Sequence, residues 1–447
     1  MSVAALPRVR RRPSLAAVVA VQVIVLVAAS VAWTFSSTES RDRIEAEVTG
    51  TSAFQPIAVP RTEPLRIAPL YDRPDLVSDE DLAAVLRQVQ PRFPRKNLAP
   101  NYVEHALRVW GVNATFADSE VLSGKEMVEF LTDNRHYVES WGDATTPLLI
   151  DRPDGLAVRW NKEPGASVHH DHLLACVTEA GISIDYEVYG PSLRRGITIR
   201  NVLEEAIRDF RLDEREAEWT AMAFGLWIAP ETKRWIGGDG RHYSFDLIAR
   251  RLMRGEKQLG VCVGTHRVYS LAVLLRLDDD YKILSPNMRK QVLGYLTSVR
   301  DAITKSQLPD GHWPSNWPDG EEAASKPIEE ALYKQVIATG HHLEWMAIAP
   351  KELHVSEEQL KKAFAWVIRT TKAQTPKEIL ERYTFFSHVG NALSLWRHQH
   401  PATFWQGWEA AHPVLEAPKV TTGSAAAPAV EAKPAVAPVA GPFAPLE

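Results

Sequence analysis

Histidine recurs in one local sequence context at three places in this chain. Each time a small residue precedes the histidine, four residues follow it, and Leu or Met then stands before Ala or Ser. The three histidines are His266, His341 and His388. If their segments are inner helices of one helical barrel, the three imidazoles could converge near one end of its cavity. Imidazole nitrogens gathered in this way are typical ligands of a metal ion.

A cysteine accompanies the first of these histidines. Cys262 precedes His266 by four residues, so a helix over this stretch would place both on one face. Together with His341 and His388 from facing helices, the pair could form a zinc site. In the alternative interpretation each histidine is a helix-start residue satisfied by backbone groups. Cys262 would then be a small buried hydrophobic residue.

A second histidine-rich segment suggests acid–base chemistry. Ser167 could cap a helix that Gly181 ends, and His169, His172 and Cys176 would then share one face. Three histidines and an aspartate within four residues could bind a metal or supply a base oriented by a carboxylate. The predicted catalytic residues are His169, His170, Asp171, His172 and His342. The alternative is a polar helix start packed under the helical part of the chain.

Composition excludes several classes of function. The 447 residues carry a net charge of −5, and Arg8, Arg10, Arg11 and Arg12 contribute +4, which leaves −9 on the rest. An acidic body argues against nucleic acid as a partner, because Lys and Arg drive phosphate binding. The sequence contains no Gly-rich phosphate-binding loop. Its two cysteines, Cys176 and Cys262, exclude a disulfide-rich scaffold and leave a single disulfide open.

The N-terminus predicts a membrane anchor. Residues 15–35 contain 21 residues without a charge, enough for a helix to cross the roughly 30 Å hydrocarbon core of a bilayer. The arginines before them place the first 14 residues in the cytoplasm and the body outside it. A cleaved signal peptide is the alternative, with the small residues 28–32 as its cleavage site. In both cases the body leaves the cytoplasm.

Composition and periodicity divide the rest of the chain. The predicted organisation is a basic cytoplasmic segment (1–14), the anchor (15–35), a Pro-containing stalk (36–78), a mixed α+β region (79–195), a helical domain (196–415) and a disordered Ala/Pro-rich tail (416–447). Short β-prone runs at 147–150 and 155–160 predict a hairpin in the mixed region. After residue 197 apolar residues recur at helical spacing and no strand is predicted.

One loop narrows the choice among helical folds. The segment Gln307–Trp313 has the sequence QLPDGHW and lies between two predicted helices. It resembles the Q-x-x-D-G-x-W core of the QW motif in terpenoid cyclases and related proteins with the α/α-toroid fold. The resemblance covers about residues 197–400. It implies an α/α-toroid-like helical domain. With the mixed region and the anchor described above, the chain is predicted to be mainly α, with a smaller mixed α+β N-terminal region and one N-terminal transmembrane helix.

The activity motifs of those families are missing. The segment Leu277–Asp280 lacks the first aspartate of the cyclase D-x-D-D motif, and D-D-x-x-D is absent. Protein prenyltransferases bind zinc through Asp, Cys and His. Cys262 and His341 or His342 correspond to two of these ligands, but Gly260 stands at the position of the aspartate. The resemblance therefore implies a fold and a cavity, and leaves the reaction open.

Two hypotheses of different class remain. In the first, the histidine-lined pocket is a metal-dependent active site with zinc as the expected cofactor. In the second, the helical domain is a non-catalytic binding or scaffold module of the cell envelope. The chain's 14 tryptophans could line the cavity and bind a small apolar or glycan ligand, or fill the space between helix layers. The membrane, contacted through residues 15–35, is the predicted partner.

Overall fold

The computed structural model describes residues 14–49, 56–153, 155–255, 257 and 262–413. This part is mainly helical, as predicted, with two small antiparallel hairpins. The elements are α1 (Leu15–Phe35), α2 (Thr38–Thr49), α3 (Asp79–Gln88), α4 (Pro100–Trp110), α5 (Gly124–Thr132), α6 (Asn134–Trp141), β1 (Leu149–Arg152), β2 (Gly155–Val158), α7 (His172–Glu179), α8 (Ile199–Asp209), α9 (Glu218–Ile228), β3 (Arg234–Ile236), β4 (His242–Ser244), α10 (Phe245–Leu252), α11 (Thr265–Tyr281), α12 (Pro286–Ser306), α13 (Glu321–Ser325), α14 (Leu332–Ile348), α15 (Glu357–Ala373), α16 (Pro376–Glu381), α17 (Tyr383–Trp396) and α18 (Pro401–Ala411).

Six of the helices pack against one another in a closed cycle. Along it α4 contacts α7, α7 contacts α9, α9 contacts α11, α11 contacts α14, α14 contacts α17, and α17 returns to α4. Other helices pack on the outside of this cycle, and each contacts one or two of its members. Helix α5 packs on α4, α10 on α9 and α11, α12 on α11, and α15 on α14 and α17. The six helices of the cycle are called the inner helices below.

Burial on all sides distinguishes the inner helices. Every residue of α9 is buried, as is every residue of α14 from Val336 to Ile348. Such helices carry few charges on any face, because neighbours in the cycle cover two sides and outer helices cover a third. By contrast, α15 buries one stripe, including Leu360, Phe364 and Val367, and exposes charged residues opposite.

The cycle overturns the predicted boundary at 195/196. Two inner helices, α4 and α7, come from the region predicted to be a separate mixed α+β unit. One hydrophobic core cluster runs from Val59 through to Trp405. A boundary that divided two cores would leave the cycle open between α9 and α17. The hairpin predicted in this region is confirmed, since β1 pairs with β2 from Leu149 opposite Val158 to Arg152 opposite Gly155.

The prediction of a stalk is wrong for residues 56–78, because this segment packs against the helical body. Polar backbone groups of this segment cap the C-terminal ends of inner helices, where the last carbonyls lack intrahelical partners. The bonds are Leu65 N to Leu226 O (2.9 Å), Leu70 N to Ala347 O (3.0 Å) and Arg73 N to Trp396 O (2.8 Å). The segment, called the N-terminal strap, therefore places the C-terminal ends of α9, α14 and α17 on one side. Within the remaining stalk, residues 38–49 form α2.

The loop that resembles a QW motif joins outer to inner helices. Gln307 donates from Nε2 to the carbonyls of Gly311 and Gln359, both at 2.9 Å. The indole of Trp313 donates to the carbonyl of Ile303 on α12 at 2.7 Å. Its backbone N–H donates to Thr339 Oγ1 on α14 at 2.9 Å. Trp313 thus packs in the space between the outer helix α12 and the inner helix α14, which is one of the two roles predicted for the tryptophans.

The sequence prediction missed the β3–β4 hairpin. Its strands pair Arg234 with Ser244, Trp235 with Tyr243 and Ile236 with His242. Strands of three residues are too short to show a recognisable alternation of apolar and polar residues. Gly237 and Gly238, which connect the strands, are typical of a loop and did not indicate a hairpin.

Helix α1 confirms the coarse prediction at the N-terminus. It has 21 residues, a mean hydropathy of 2.7 and no buried residue, so it is long and apolar enough to cross a membrane. The predicted tail at 416–447 and all but the last residue of the predicted cytoplasmic segment 1–14 lie outside the described residues.

Gly311→Ala should destabilise the fold by about 2–4 kcal/mol. Gly311 has φ +111°, and a Cβ there would lie 2.3 Å from the carbonyl oxygen of Lys362. Gly407→Ala is the control, because that glycine lies in α18 with nothing within 4 Å of a new Cβ. Denaturant unfolding should show a gain of roughly 0.5–1 kcal/mol for the control. Equal stability of the two variants would contradict the role given to the loop.

Removing the N-terminal strap should weaken the body. A chain of residues 79–413 loses the buried Val59, Leu76 and Val77, and it uncaps three helix ends. We expect a loss of about 5–9 kcal/mol relative to residues 56–413, from the three apolar side chains alone. A chain of residues 36–413 is the control and should unfold like 56–413. If 79–413 were as stable as both, the segment would be a stalk after all.

Candidate metal centre

The inner helices bring five imidazoles and one indole together. His105 comes from α4, His172 from α7, His266 from α11, His341 from α14 and His388 from α17, and each is at most 5% exposed. Trp219 of α9 packs on two of these rings, with centroid distances of 4.2 Å to His172 and to His266. All six inner helices thus contribute a ring to one buried cluster, called the histidine cluster below.

Two histidines present ring nitrogens to each other at its middle. Nε2 of His266 lies 3.0 Å from Nε2 of His341. Nδ1 of His341 lies 2.8 Å from the carbonyl of Ile337, which assigns the proton of that ring to Nδ1 and leaves a lone pair on Nε2. Nδ1 of His266 is buried and has no hydrogen-bond partner among the described residues. Ligand atoms of Cys262, His266 and His341 all lie within 4.8 Å of one another, close enough for one metal ion.

Cys262 reaches this position from a loop. The helix that was expected to carry both Cys262 and His266 begins only at Thr265. Cys262, Val263 and Gly264 have φ of 49°, 53° and 80°, three left-handed residues in a row. Each of the first two costs about 1–3 kcal/mol, a strain that often marks a functional site. Thr265 donates from Oγ1 to the carbonyl of Cys262 at 2.7 Å, and Trp317 donates from Nε1 to that of Val263 at 3.2 Å. These bonds hold the thiol beside His266.

His388 is oriented by a buried carboxylate. Its Nδ1 lies 2.8 Å from Glu344 Oε2 and 3.1 Å from Arg108 Nη1, and the nearer carboxylate assigns the ring proton to Nδ1. The Nε2 of His388 is therefore a lone pair, and it has no partner in the described chain. Glu344 Oε1 also accepts from Asn391 Nδ2 at 2.6 Å and from Arg108 at 3.1 Å. A carboxylate behind an imidazole raises the basicity of the opposite nitrogen.

Arg108 forms ion pairs with two carboxylates, those of Glu179 and Glu344. Its Nε donates to Glu179 Oε2 at 2.5 Å, and its guanidinium lies 5.0 Å from the ring centroid of Tyr269. Tyr269 in turn donates to Glu179 Oε1 at 2.8 Å. Burial alone would lower the pKa of Arg108, but Glu179 and Glu344 raise it well above its usual range. Removing one partner of such a buried network would leave an uncompensated charge.

Burial keeps the histidine cluster neutral. Desolvation lowers the pKa of His105, His172, His266, His341 and His388 well below the usual value for histidine. The neighbouring rings and Arg108 add to this effect, since each disfavours a second positive charge nearby. Neutral imidazole is the form that binds a metal ion.

Of the second predicted cluster, His172 lies within the centre and His169 borders it, with its ring centroid 5.6 Å from that of His172 and 6.1 Å from that of Trp219. The helix α7 begins at His172, so His169 and His170 precede it and do not share a helical face with Cys176. His169 pairs instead with Glu216, with Nδ1 and Oε2 2.6 Å apart. Asp171, at φ 54°, accepts from Thr220 Oγ1 at 2.7 Å. The left-handed turn at Asp171 explains why the predicted helix is shorter.

His342 lies on another side of α14 from His341. Its ring contacts Trp313 and Trp317, with centroid distances of 5.6 and 4.8 Å, and its Nδ1 accepts from Trp345 Nε1 at 3.0 Å. Successive helical residues diverge by about 100°, so only one of two adjacent histidines can face the cluster. The structure therefore separates His342 from the other predicted catalytic residues.

Cys176 and most of the tryptophans take structural positions, and the two cysteines do not form a disulfide. Cys176 and Cys262 are free thiols, and burial raises the pKa of both. Many tryptophans are wholly buried, which favours the interpretation that they fill space between helix layers. These are Trp110, Trp219, Trp227, Trp313, Trp317, Trp345 and Trp396.

Several residues of the centre were not predicted from the sequence. Glu104 and His105 lie on α4, in a region interpreted as a separate unit, so nothing indicated that they face the other histidines. Glu344 follows His341 by three residues, and this helical spacing was a usable signal for a carboxylate on the same face. Arg108 and Glu179 carried no such signal, because their pairing spans 71 residues.

Comparison with known proteins adds no assignment to this geometry: no protein-family model, no curated protein and no solved structure matches the chain.

His170 should make stability depend on pH. Its Nδ1 lies 3.2 Å from Glu214 and 3.5 Å from Asp171. Burial lowers its pKa, but Asp171, Glu214 and Asp209 outweigh that effect and raise it to about 9. A histidine with a folded-state pKa above the unfolded value near 6.5 stabilises fully below pH 6.5, and the contribution is lost as pH rises to about 9.

We therefore expect wild type to lose stability relative to His170→Gln between pH 6.5 and 9, by up to about 1.4 kcal/mol per pH unit. Denaturant unfolding of both proteins at pH 6 and pH 9 measures the difference. His136→Gln, at a histidine 41% exposed in its side chain, is the control. A difference between wild type and His170→Gln that stays constant with pH would rule out the charged imidazole.

Proposed function

We propose that this protein is a membrane-anchored, extracytoplasmic zinc enzyme whose active site is the histidine cluster of an α/α-toroid. Cys262, His266 and His341 are the proposed zinc ligands, and His388 is the proposed general base. The observation that carries the proposal is the convergence of three metal-binding side chains, from a loop and two inner helices, at 4.8 Å or less. Hydrolysis by a zinc-bound water is the proposed reaction class.

The closed cycle of helices supports the toroid. In that fold inner and outer helices alternate along the chain. From α9 onwards, apart from the short helices α13 and α16, the inner helices α9, α11, α14 and α17 alternate with α10, α12, α15 and α18. The loop at 307–313 makes the contacts between layers that its resemblance to a QW motif implies. Residues of the N-terminal turns of α7, α9 and α11 lie in the cluster, whereas the N-terminal strap caps C-terminal ends.

The donor set favours zinc. One thiolate and two imidazoles are borderline-soft ligands, and three protein ligands with a fourth position for water are the usual arrangement of catalytic zinc sites. The three side chains offer one sulfur and two nitrogens and no oxygen, which disfavours an ion such as Mg²⁺ that prefers oxygen ligands. The strained loop that presents Cys262 fits a ligand held in place for a metal.

His388 fits the role of the base. Its Nδ1–H is fixed by Glu344, and its Nε2 lone pair is buried and has no partner among the residues the structure describes. The His388 ring lies 3.7 Å from that of His341 and 5.1 Å from that of His266, so it borders the proposed zinc position. A base in this place could take a proton from a zinc-bound water.

A closed structural zinc site in a binding module is the second candidate. The near-complete burial of His266, His341 and His388 favours it, because structural sites exclude water. In that case His388 would move onto the ion as the fourth ligand. The two candidates thus differ in whether His388 binds the metal.

Helix α1 is the basis for the proposed cellular location of the protein. Helix α1 as a membrane span, with the arginines before it in the cytoplasm, would place the helical body on the opposite side.

Metal analysis of residues 56–413, produced without a histidine tag, tests the proposal. Cobalt-loaded wild type should show the near-ultraviolet absorption of a cobalt–thiolate bond. Cys262→Ala should lose it together with one equivalent of zinc, and His266→Ala should weaken zinc binding strongly. Cys176→Ala is the matched control, since Cys176 is the other buried free thiol. Wild-type protein without a cobalt–thiolate band would overturn the proposed site.

His388→Gln separates the two candidates. If His388 is the base, the variant keeps its zinc and its four-coordinate cobalt spectrum, and loses activity towards a chromogenic ester by about 10²–10⁴-fold. If His388 is a fourth ligand, the variant instead loses affinity for zinc and the cobalt spectrum changes.

A further inference from the structure

A cleft lies between the β1–β2 hairpin and α8, apart from the proposed zinc ligands. Its volume is about 210 Å³, below the roughly 300–1,000 Å³ of pockets for drug-sized ligands, so it has room for one small ring. The floor is apolar and consists of buried side chains from three elements: Leu156 of β2, Leu174 of α7 and Val202 of α8. The cleft therefore has the apolar base that is typical of ligand pockets.

An exposed tryptophan forms one side of the cleft. Trp160 is 52% exposed, whereas most tryptophans of the described chain are buried. Backbone bonds fix the loop that carries it, since Asn161 N donates to Ser167 O at 2.9 Å and Ser167 N donates to Arg159 O at 3.1 Å. The centroid of the His170 ring lies 5.3 Å from that of the indole. A half-exposed indole held beside an apolar floor is suited to stacking against the apolar face of a ligand.

Polar groups with spare hydrogen-bonding capacity surround the floor. Among the described residues Asp209 of α8 has no hydrogen-bond or ion-pair partner, and its carboxylate oxygens can only accept. Arg152 of β1 forms an ion pair with Glu205, with Nε and Oε1 3.7 Å apart, which is too long for a hydrogen bond. Its guanidinium therefore has donors to spare. The cleft thus offers an acceptor from one wall and donors from the other.

The charges that line the cleft cancel. Burial lowers the pKa of His170, but the carboxylates of Asp171, Glu214 and Asp209 outweigh that effect and raise it to about 9, so this lining residue is cationic at neutral pH. The lining has three cations and three carboxylates in all, and 3 − 3 = 0: Arg152, Arg159 and His170 against Asp171, Glu205 and Asp209. A ligand with a net charge would meet no excess of the opposite sign.

We propose that this cleft binds the ring of a neutral sugar. A sugar ring has an apolar face of C–H groups that can stack on the indole of Trp160. Its hydroxyls both donate and accept hydrogen bonds, so they match the acceptor Asp209 and the donor Arg152. A hydrocarbon ring would leave these polar groups unpaired and remove them from water. The proposal is independent of the zinc site, because none of these residues is a proposed zinc ligand or the proposed base.

Sugar binding to the full-length protein tests the proposal. The protein is purified in a zwitterionic detergent, because the headgroup of a maltoside detergent would compete for the cleft. The probes are the methyl glycosides of glucose, galactose, mannose and N-acetylglucosamine, and binding is followed by saturation-transfer difference NMR and by titration. We expect saturable binding of at least one probe with a Kd of about 1–10 mM, the range for a ligand of so few atoms.

Substitutions locate the binding in the cleft. Trp160→Ala should weaken it about tenfold or more, because the stacking surface is lost. Asp209→Ala should weaken it about three- to tenfold, because an acceptor is lost. Both side chains are exposed, so these variants should fold like wild type, which thermal melting checks.

Two variants outside the cleft are matched controls. Trp408→Ala removes a partly exposed indole on α18, and Asp143→Ala removes an exposed carboxylate between α6 and β1. Neither should change the Kd for the sugar. Cys262→Ala should also bind the sugar as wild type does, so loss of the proposed zinc site would leave this result unaffected.

Three outcomes would overturn the sugar site. The first is the absence of saturable binding for all of the probes, and the second is binding that Trp160→Ala leaves unchanged. The third is binding of glucosamine or glucuronate, which carry a positive and a negative charge, more than about tenfold tighter than any neutral glycoside. That result would assign the cleft to a charged ligand.

Discussion

The complete removal of five imidazoles from water is the constraint on which the rest of this structure depends. An imidazole at the middle of a closed cycle of helices cannot keep a positive charge without a partner, so the rings are neutral and their lone pairs are available. Neutral rings can pack closely, and the ring centroids here lie 3.7–5.2 Å apart. The same desolvation makes every unsatisfied nitrogen in the cluster costly, which is why the unpartnered ones are informative.

The charges of the cluster are arranged around Arg108. One guanidinium forms ion pairs with both Glu179 and Glu344, and Glu344 in turn orients His388. This network is held by α4, α7, α14 and α17, so it also bonds helices of the predicted mixed region to helices of the predicted helical domain. Glu104 lies one turn before Arg108 on α4 but has no cation of its own.

The sequence predicts the existence of the helices better than it predicts where they begin. Helix existence after residue 197 was predictable, because apolar residues at three- and four-residue spacing mark even short helices. Helix starts were predictable where a cap was present, as with Ser78 before α3. They were not predictable at Cys262 and Asp171, where two left-handed turns delay the helix. The N-terminal strap was mistaken for a stalk because its bonds are made by backbone groups, which leave no trace in side-chain pattern.

The sequence by itself determined the apolar N-terminal helix, the helical character of the body, the loop at 307–313 and the three histidines in a shared local context. These are local properties, set by residue type and spacing within one or two turns. Only the tertiary structure decided that α4 and α7 close the cycle, that His105 and His172 join His266, His341 and His388, and that His342 does not. Those outcomes depend on which helices become neighbours, and contacts between residues 71 to 280 positions apart are fixed by packing of the whole core.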